Sequence, residues 1–214
     1  MFDIDKYTSI IWDWNGTIVD DSRLAFDIYC EEYELYNLEH MNFDEYKKRF
    51  YFPVSKFYEE VGLPKERYKD IADRFAVIYR EKWCEIKIHE QVYEYLKRFR
   101  DAKITQFILS AYEQKELLNM VMFFELQGYF TQIAGVYNNL AQSKVERGKE
   151  LIADNKIDIR KTLMIGDTPH DFEVAKALGV DAVLLSWGTV SHEKLVLNCG
   201  KEIVFTDLKE VFGK

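Results

Sequence analysis

A doubly wound, Rossmann-like α/β fold with an all-helical cap inserted after its first strand is predicted by two features of the 214-residue chain. Short apolar runs alternate with helical periodicity, and one long segment lacks such runs altogether. The first run is "SIIW" (9–12), bounded by polar residues as a strand buried on both faces of a parallel sheet should be. Residues 18–86 then carry no convincing strand. They read as amphipathic helices around 22–38, 43–51, 55–61 and 66–83, dense in Tyr, Phe and charge. After them a helix at 90–100 leads into "ITQFIL" (104–109), one at 113–127 into "QIAGV" (132–136), and one at 143–154 into "TLMI" (162–165). A helix at 170–178 leads into "DAVLLS" (181–186), and "IVF" (203–205) closes the series. The expected organisation is a core of residues 1–17 and 87–214 and a cap of residues 18–86, seated above the strand ends where open α/β sheets bind ligands.

Composition narrows the class of partner. The chain is 48% hydrophobic and 31% charged, with a net charge of −8, which argues against binding to nucleic acid or an anionic membrane. No apolar run approaches the ~20 residues of a membrane helix. Cys30, Cys84 and Cys199 form no paired or metal-ligand pattern and fit free thiols. The N-terminal "MFDIDKYTSI" has no apolar signal core, so a cytoplasmic location is expected, as a monomer or weak dimer.

Several residues follow strands and carry chemistry. Asp13 ends the first run, and Gly16 and Thr17 supply a tight turn and a hydroxyl. Ser110 follows the second run in "FILSAYEQ", either as a helix N-cap or as a hydroxyl binding an anion at a helix start. In "AQSKVERGKEL", Ser143 and Glu146 have capping-box spacing, which puts Lys144 at the first helical position. A lysine there opposes the helix dipole, and with the helix N-terminus it makes an anion site. In "TLMIGDTPHDFEVAKALGV", Thr168 fits an N-cap, Pro169 the first helical position, Asp171 the first turn and Gly179 the C-cap. Asp167 leaves the strand through Gly166 toward the same edge as Asp13. Two carboxylates ~4 Å apart repel by ~4 kcal/mol at an effective dielectric near 20, which points to a bound cation; hard oxygen ligands favour Mg²⁺.

With "DWNGT", Ser110, Lys144 and "GDTPHD" in this order, the chain resembles the haloacid dehalogenase superfamily, in its phosphoglycolate-phosphatase-like branch. The resemblance implies a Mg²⁺-dependent phosphatase acting on a small phosphorylated metabolite. Asp13 would be the nucleophile, forming an aspartyl-phosphate. Ser110 and Lys144 would bind phosphate, with the backbone at Trp14, Asn15 and Ala111. Asp13, the carbonyl of Asn15, Asp167 and Asp171 would hold the metal. The departure is Asn15, where the family has the Asp that serves as general acid and base. An amide preserves the backbone but delivers no proton, so slow turnover of poor leaving groups is expected. Two alternatives follow: carbon–phosphorus cleavage as in phosphonoacetaldehyde hydrolases, with Lys47, Lys48 or Lys56 as the Schiff-base lysine, or a phospho-ligand binder without turnover. The aromatics of "RFYFP" (49–53) either line the pocket or pack the cap; His170 is expected at the surface and the Trp14 ring in packing.

Overall fold

The computed structural model describes residues 2–137 and 144–213. Six parallel strands form the main sheet: β1 (Ser9–Trp12), β4 (Thr105–Glu113), β5 (Gln132–Val136), β6 (Thr162–Gly166), β7 (Asp181–Leu185) and β8 (Val204–Phe205). Their spatial order is β5-β4-β1-β6-β7-β8. The chain winds outward from β1 to β5 on one side and then crosses back to β6 on the other, so the topological switch lies beside β1.

Alternation along β1 explains the layers. Ile10 and Trp12 face the cluster that includes Leu96 and Phe99 from α5 (Val92–Asp101) and Leu117 and Met120 from α6 (Gln114–Phe123). Ile11 faces the opposite cluster, with Leu151 from α7 (Lys144–Asn155) and Val174 from α8 (Pro169–Leu178). Both faces are covered, which is why the strands read as unbroken apolar runs. One polar pair lies inside: Trp12 Nε1 donates to Gln106 Oε1 at 3.1 Å, and Gln106 Nε2 donates to the Leu96 carbonyl at 2.9 Å.

Between β1 and α5 lie α1 (Ser22–Leu35), α2 (Phe43–Arg49), α3 (Val54–Glu60) and α4 (Tyr68–Lys82). They share a cluster rich in aromatic rings, centred on Tyr29, Tyr33, Tyr46 and Phe57, which also reaches Leu184 and Leu195 of the core. Arg74 of α4 pairs with Glu32 of α1, whose side chain is buried.

Three expectations need correction. The segment 18–86 is not free of strand: β2 (Val19–Asp20) pairs antiparallel with β3 (Lys87–Ile88), joining both connections to the helical segment in one short ribbon. Two residues are too few to leave a period. Next, β4 runs on through Ser110 to Glu113, with a register shift against β5 between Leu109 and Glu113. Finally, two helices escape the pattern, α9 (His192–Cys199) and α10 (Leu208–Phe212), both too short for a helical period to stand out.

Candidate active site

The registers Trp12↔Ile108 and Trp12↔Ile165 carry Asp13, Ser110 and Asp167 to one edge of the sheet, beside the topological switch. All three are buried, as are Lys144 and Asp171. Lys144 opens α7 and reaches between two carboxylates, with Nζ 2.5 Å from Asp13 Oδ1 and 2.5 Å from Asp171 Oδ1. A lysine that opposes the helix dipole is thus answered by two anions. The expected capping box at Ser143 lies outside the described residues.

Each carboxylate is aimed by its own local structure. Thr17 Oγ1 bridges Asp13 Oδ2 and Asp167 Oδ1, 3.2 Å from each. Asp167 Oδ2 accepts the Thr189 N–H at 2.7 Å. Asp171 closes a capping box with Thr168, Pro169 stands at the first helical position, and Gly179 ends α8 with φ +73°, as the sequence pattern predicts. Its Oδ2 accepts from Thr168 Oγ1 at 2.7 Å and from the Asp167 N–H at 3.2 Å. Gly16 has φ +73°, and a Cβ there would stand 2.3 Å from Asp167 Oδ2, so backbone conformation and space both demand glycine.

One lysine cannot neutralise three buried carboxylates. Burial pushes the Asp13 carboxyl up to about 7, against the pull of Lys144. Burial and the charges of Asp13 and Asp171 hold Asp167 well above the usual carboxylate range. Burial also opposes ionisation of Asp171, but Lys144 and Thr168 outweigh it and hold this carboxyl low. One oxygen from each of the three lies within 4.8 Å of the others. This all-oxygen donor set, short of positive charge, fits a hard divalent cation.

Ser110 is a strand residue and not a helix N-cap. Glu113 caps α6, accepting from the Glu116 N–H at 3.0 Å. The cap falls three residues later than expected because β4 continues through Glu113. Ser110 Oγ accepts the Tyr112 N–H at 3.0 Å, which leaves its own proton to donate. Ala111 lines the cavity beside it. The Trp14 N–H faces the Asp13 carboxylate, and the Trp14 ring is fully buried in core packing.

Asn15 is held by residues that sequence reasoning missed. Its Nδ2 donates to Asp21 Oδ2 at 2.7 Å and to Tyr79 Oη at 2.8 Å. Tyr79 in turn donates to Asp21 Oδ2 at 2.7 Å, and the Gly16 N–H donates to Asp21 Oδ1 at 2.7 Å. Asp21 sits at the N-cap of α1 but makes no capping bond, because its carboxylate is turned to these donors. The network also settles the amide orientation, since both neighbours demand the NH₂ side. Both N–H bonds of Asn15 are therefore spent, and only its Oδ1 is left. No sequence signal joins Asn15 to Tyr79, 64 positions on. The doubled acid "DD" at 20–21 was the available hint for Asp21.

A cavity of about 220 Å³ opens over these groups. Phe50 and Phe52 of "RFYFP" line it, whereas Arg49 turns away to Glu60 at 2.9 Å. His170 is not a surface residue: its ring lines the cavity and stacks on Phe52, 4.7 Å between centroids. Lys47, Lys48 and Lys56 do not line it, and Lys47 Nζ instead donates to the Ser186 carbonyl at 3.4 Å. Among the described residues no helix is long and apolar enough to cross a membrane.

Known proteins resemble this chain in sequence and in fold. A candidate pyrophosphatase PpaX of Caldanaerobacter subterraneus subsp. tengcongensis is 25% identical over 202 residues, covering 89% of this chain and 86% of its own. Solved structures of a predicted phosphatase from Clostridium acetobutylicum (18% identity, 96% of each chain) and of a haloacid dehalogenase-like hydrolase from Streptococcus pneumoniae (17% identity, 97% of each chain) both superpose with a TM-score of 0.81. They share the fold of the six-stranded sheet and its flanking helices. The family model for haloacid dehalogenase-like hydrolases matches residues 10–185, from β1 through the last residue of β7, and the chain belongs to that family.

Proposed function

We propose that the protein is a Mg²⁺-dependent phosphatase that hydrolyses a small phosphomonoester through an aspartyl-phosphate on Asp13. The observation that carries this reading is the Asp13 carboxylate at the tip of β1, fixed by Lys144 and Thr17 beside Asp167 and Asp171 in one cavity.

Asp13 attacks phosphorus, the bond from phosphorus to the alcohol oxygen breaks, and the electron pair leaves with that oxygen. Water then cleaves the acyl-phosphate and restores the carboxylate. The Ser110 hydroxyl and the third N–H of Lys144 are free to donate to phosphoryl oxygens, because the other two Lys144 donors serve Asp13 and Asp171. Asp13, Asp167, Asp171 and the Asn15 carbonyl would hold Mg²⁺, which supplies Lewis-acid stabilisation of the transferring group's charge. Asn15 contributes neither a proton nor an N–H to the leaving oxygen, so that oxygen takes its proton from solvent. The helices over the cavity form the cap that excludes bulk water, and residues 18–86 are assigned to it. With three unpaired cysteines, a reducing cytoplasm is the proposed setting.

Phosphate release from a panel of phosphomonoesters, with and without Mg²⁺, tests the reading. Mg²⁺-dependent release, lost in Asp13→Asn, is expected. A folded protein that binds vanadate but turns over no ester would establish a phospho-ligand binder instead. Schiff-base chemistry has no support, since none of the cap lysines named above reaches the cavity.

A further inference from the structure

The cavity lining differs in chemistry between the sheet edge and the helical segment. Tyr29, Phe50, Phe52, Val54 and Phe75 supply the cavity wall from the cap side. The one charged residue the helical segment adds is Asp21, an anion already bound to three donors. No cation comes from that segment. Among the described residues Lys144 is the one lysine that lines the cavity, and no arginine lines it. A second carboxylate or phosphate on the substrate would therefore meet rings and an aspartate. A polyhydroxylated body would lose water at its hydroxyls and find few partners.

One polar atom on the wall points to what is bound. Tyr46 is fully buried and lines the cavity, and its Oη has no hydrogen-bond partner among the described residues. The ring itself is clamped between Phe26, Phe43, Phe50 and Phe57. A buried hydroxyl held rigidly without a partner is expensive unless a ligand supplies one.

We propose that the cavity takes the phosphate monoester of a small phenol, with its ring against the apolar wall and Tyr46 Oη donating to an ester or phosphoryl oxygen. The inference rests on the phosphatase reading above. The volume, about 220 Å³, is below the ~300–1,000 Å³ of drug-sized pockets and suits one ring with its phosphoryl group. Asn15 supports the same substrate independently. A phenol-type leaving group has a pKa near ~10, far below that of a sugar alcohol, and needs no proton from Asn15 to depart.

Steady-state kinetics with Mg²⁺ separate the parts. Benzyl phosphate and glycerol phosphate both release alkyl alcohols, so their KM ratio reads the wall; benzyl phosphate is expected to have a KM at least about tenfold lower. Phenyl phosphate is expected to share the KM of benzyl phosphate but show a higher kcat. Tyr46→Phe should raise the KM for phenyl phosphate about five- to tenfold, while the thermal midpoint of the free protein holds or rises because an unpartnered buried hydroxyl is removed. If pyrophosphate, phosphoglycolate or glycerol phosphate is preferred on KM, the aromatic assignment is overturned and the phosphatase reading stands. An unchanged KM in Tyr46→Phe removes Tyr46 from the substrate contact. No turnover of any ester overturns the phosphatase reading itself.

Discussion

On the core side of the cleft, almost every polar atom is answered by another. Lys144 joins Asp13 to Asp171, Thr17 joins Asp13 to Asp167, and Thr189 and Thr168 complete the carboxylates. On the cap side, rings pack on rings and Tyr46 keeps a hydroxyl in reserve. The core half is preorganised for one charge distribution, which is what stabilising a transferring phosphoryl group demands. The cap half is shaped for a body of matching form. Electrostatic loss on the core side should therefore be large and common to all substrates, and loss on the cap side small and substrate-dependent.

Asp13→Asn gives the largest effect. The amide keeps the shape of the carboxylate but is no nucleophile, and turnover of every substrate should fall by about 10⁴-fold or more. Phosphate-release assays and a thermal melt check it together. A residual rate near wild type would show that Asp13 does not attack.

Lys144→Met comes next and reads stability. Lys144 is 4% exposed, and its removal leaves the buried carboxylates of Asp13 and Asp171 facing each other without a cation. Breaking a buried pair from one side costs about 3–5 kcal/mol. Denaturant unfolding in a chelator should show a loss of that size, and added Mg²⁺ should recover part of it. A loss below about 1 kcal/mol would mean that the carboxylates are held neutral rather than paired.

The same contrast decides what the sequence could reveal. Asp13, Ser110 and Asp167 were legible because each ends an apolar run, and register in a parallel sheet converts that pattern directly into proximity. Thr168, Asp171 and Gly179 were legible because helix caps are local. Asp21, Tyr79 and Tyr46 were not, because their roles depend on how the cap helices fold over the sheet, a matter of packing between segments far apart in the chain. Ser110 does line the cavity with Asp13, but not as the cap of α6: only the extension of β4 reveals that Glu113 caps that helix.

Asn15→Asp crosses the boundary between the two halves. The new carboxylate would lie where Nδ2 now sits, 2.7 Å from Asp21 Oδ2. Two carboxylates at that distance cannot both ionise, so the pair retains a proton above the usual carboxylate range. That proton supplies the acid the wild type lacks. Alkyl phosphates should gain about 10²-fold in kcat and aryl phosphates little. The gain belongs to the protonated pair, so it should disappear as pH rises through the upper apparent pKa of the pair. Equal rates for variant and wild type on alkyl phosphates, across pH, would show that another group or water already provides the proton.

The smallest effect is expected at the seam. Phe52 is 38% exposed and touches the core through its stack on His170, 4.7 Å between centroids. Pairs of stacked rings contribute ~0.5–1.5 kcal/mol beyond the area they bury, and exposure reduces the share at stake here. Phe52→Ala should therefore leave the unfolding midpoint close to wild type and kcat on phenyl phosphate unchanged. Its KM should rise by a few-fold, since the ring belongs to the wall and not to the charged floor. A fall in kcat that matched the rise in KM would tie the cap ring to the transition state, and the division between a core that performs the chemistry and a cap that selects the body would no longer hold. Glycerol phosphate provides the internal control: with no ring to rest on Phe52, its KM should not move.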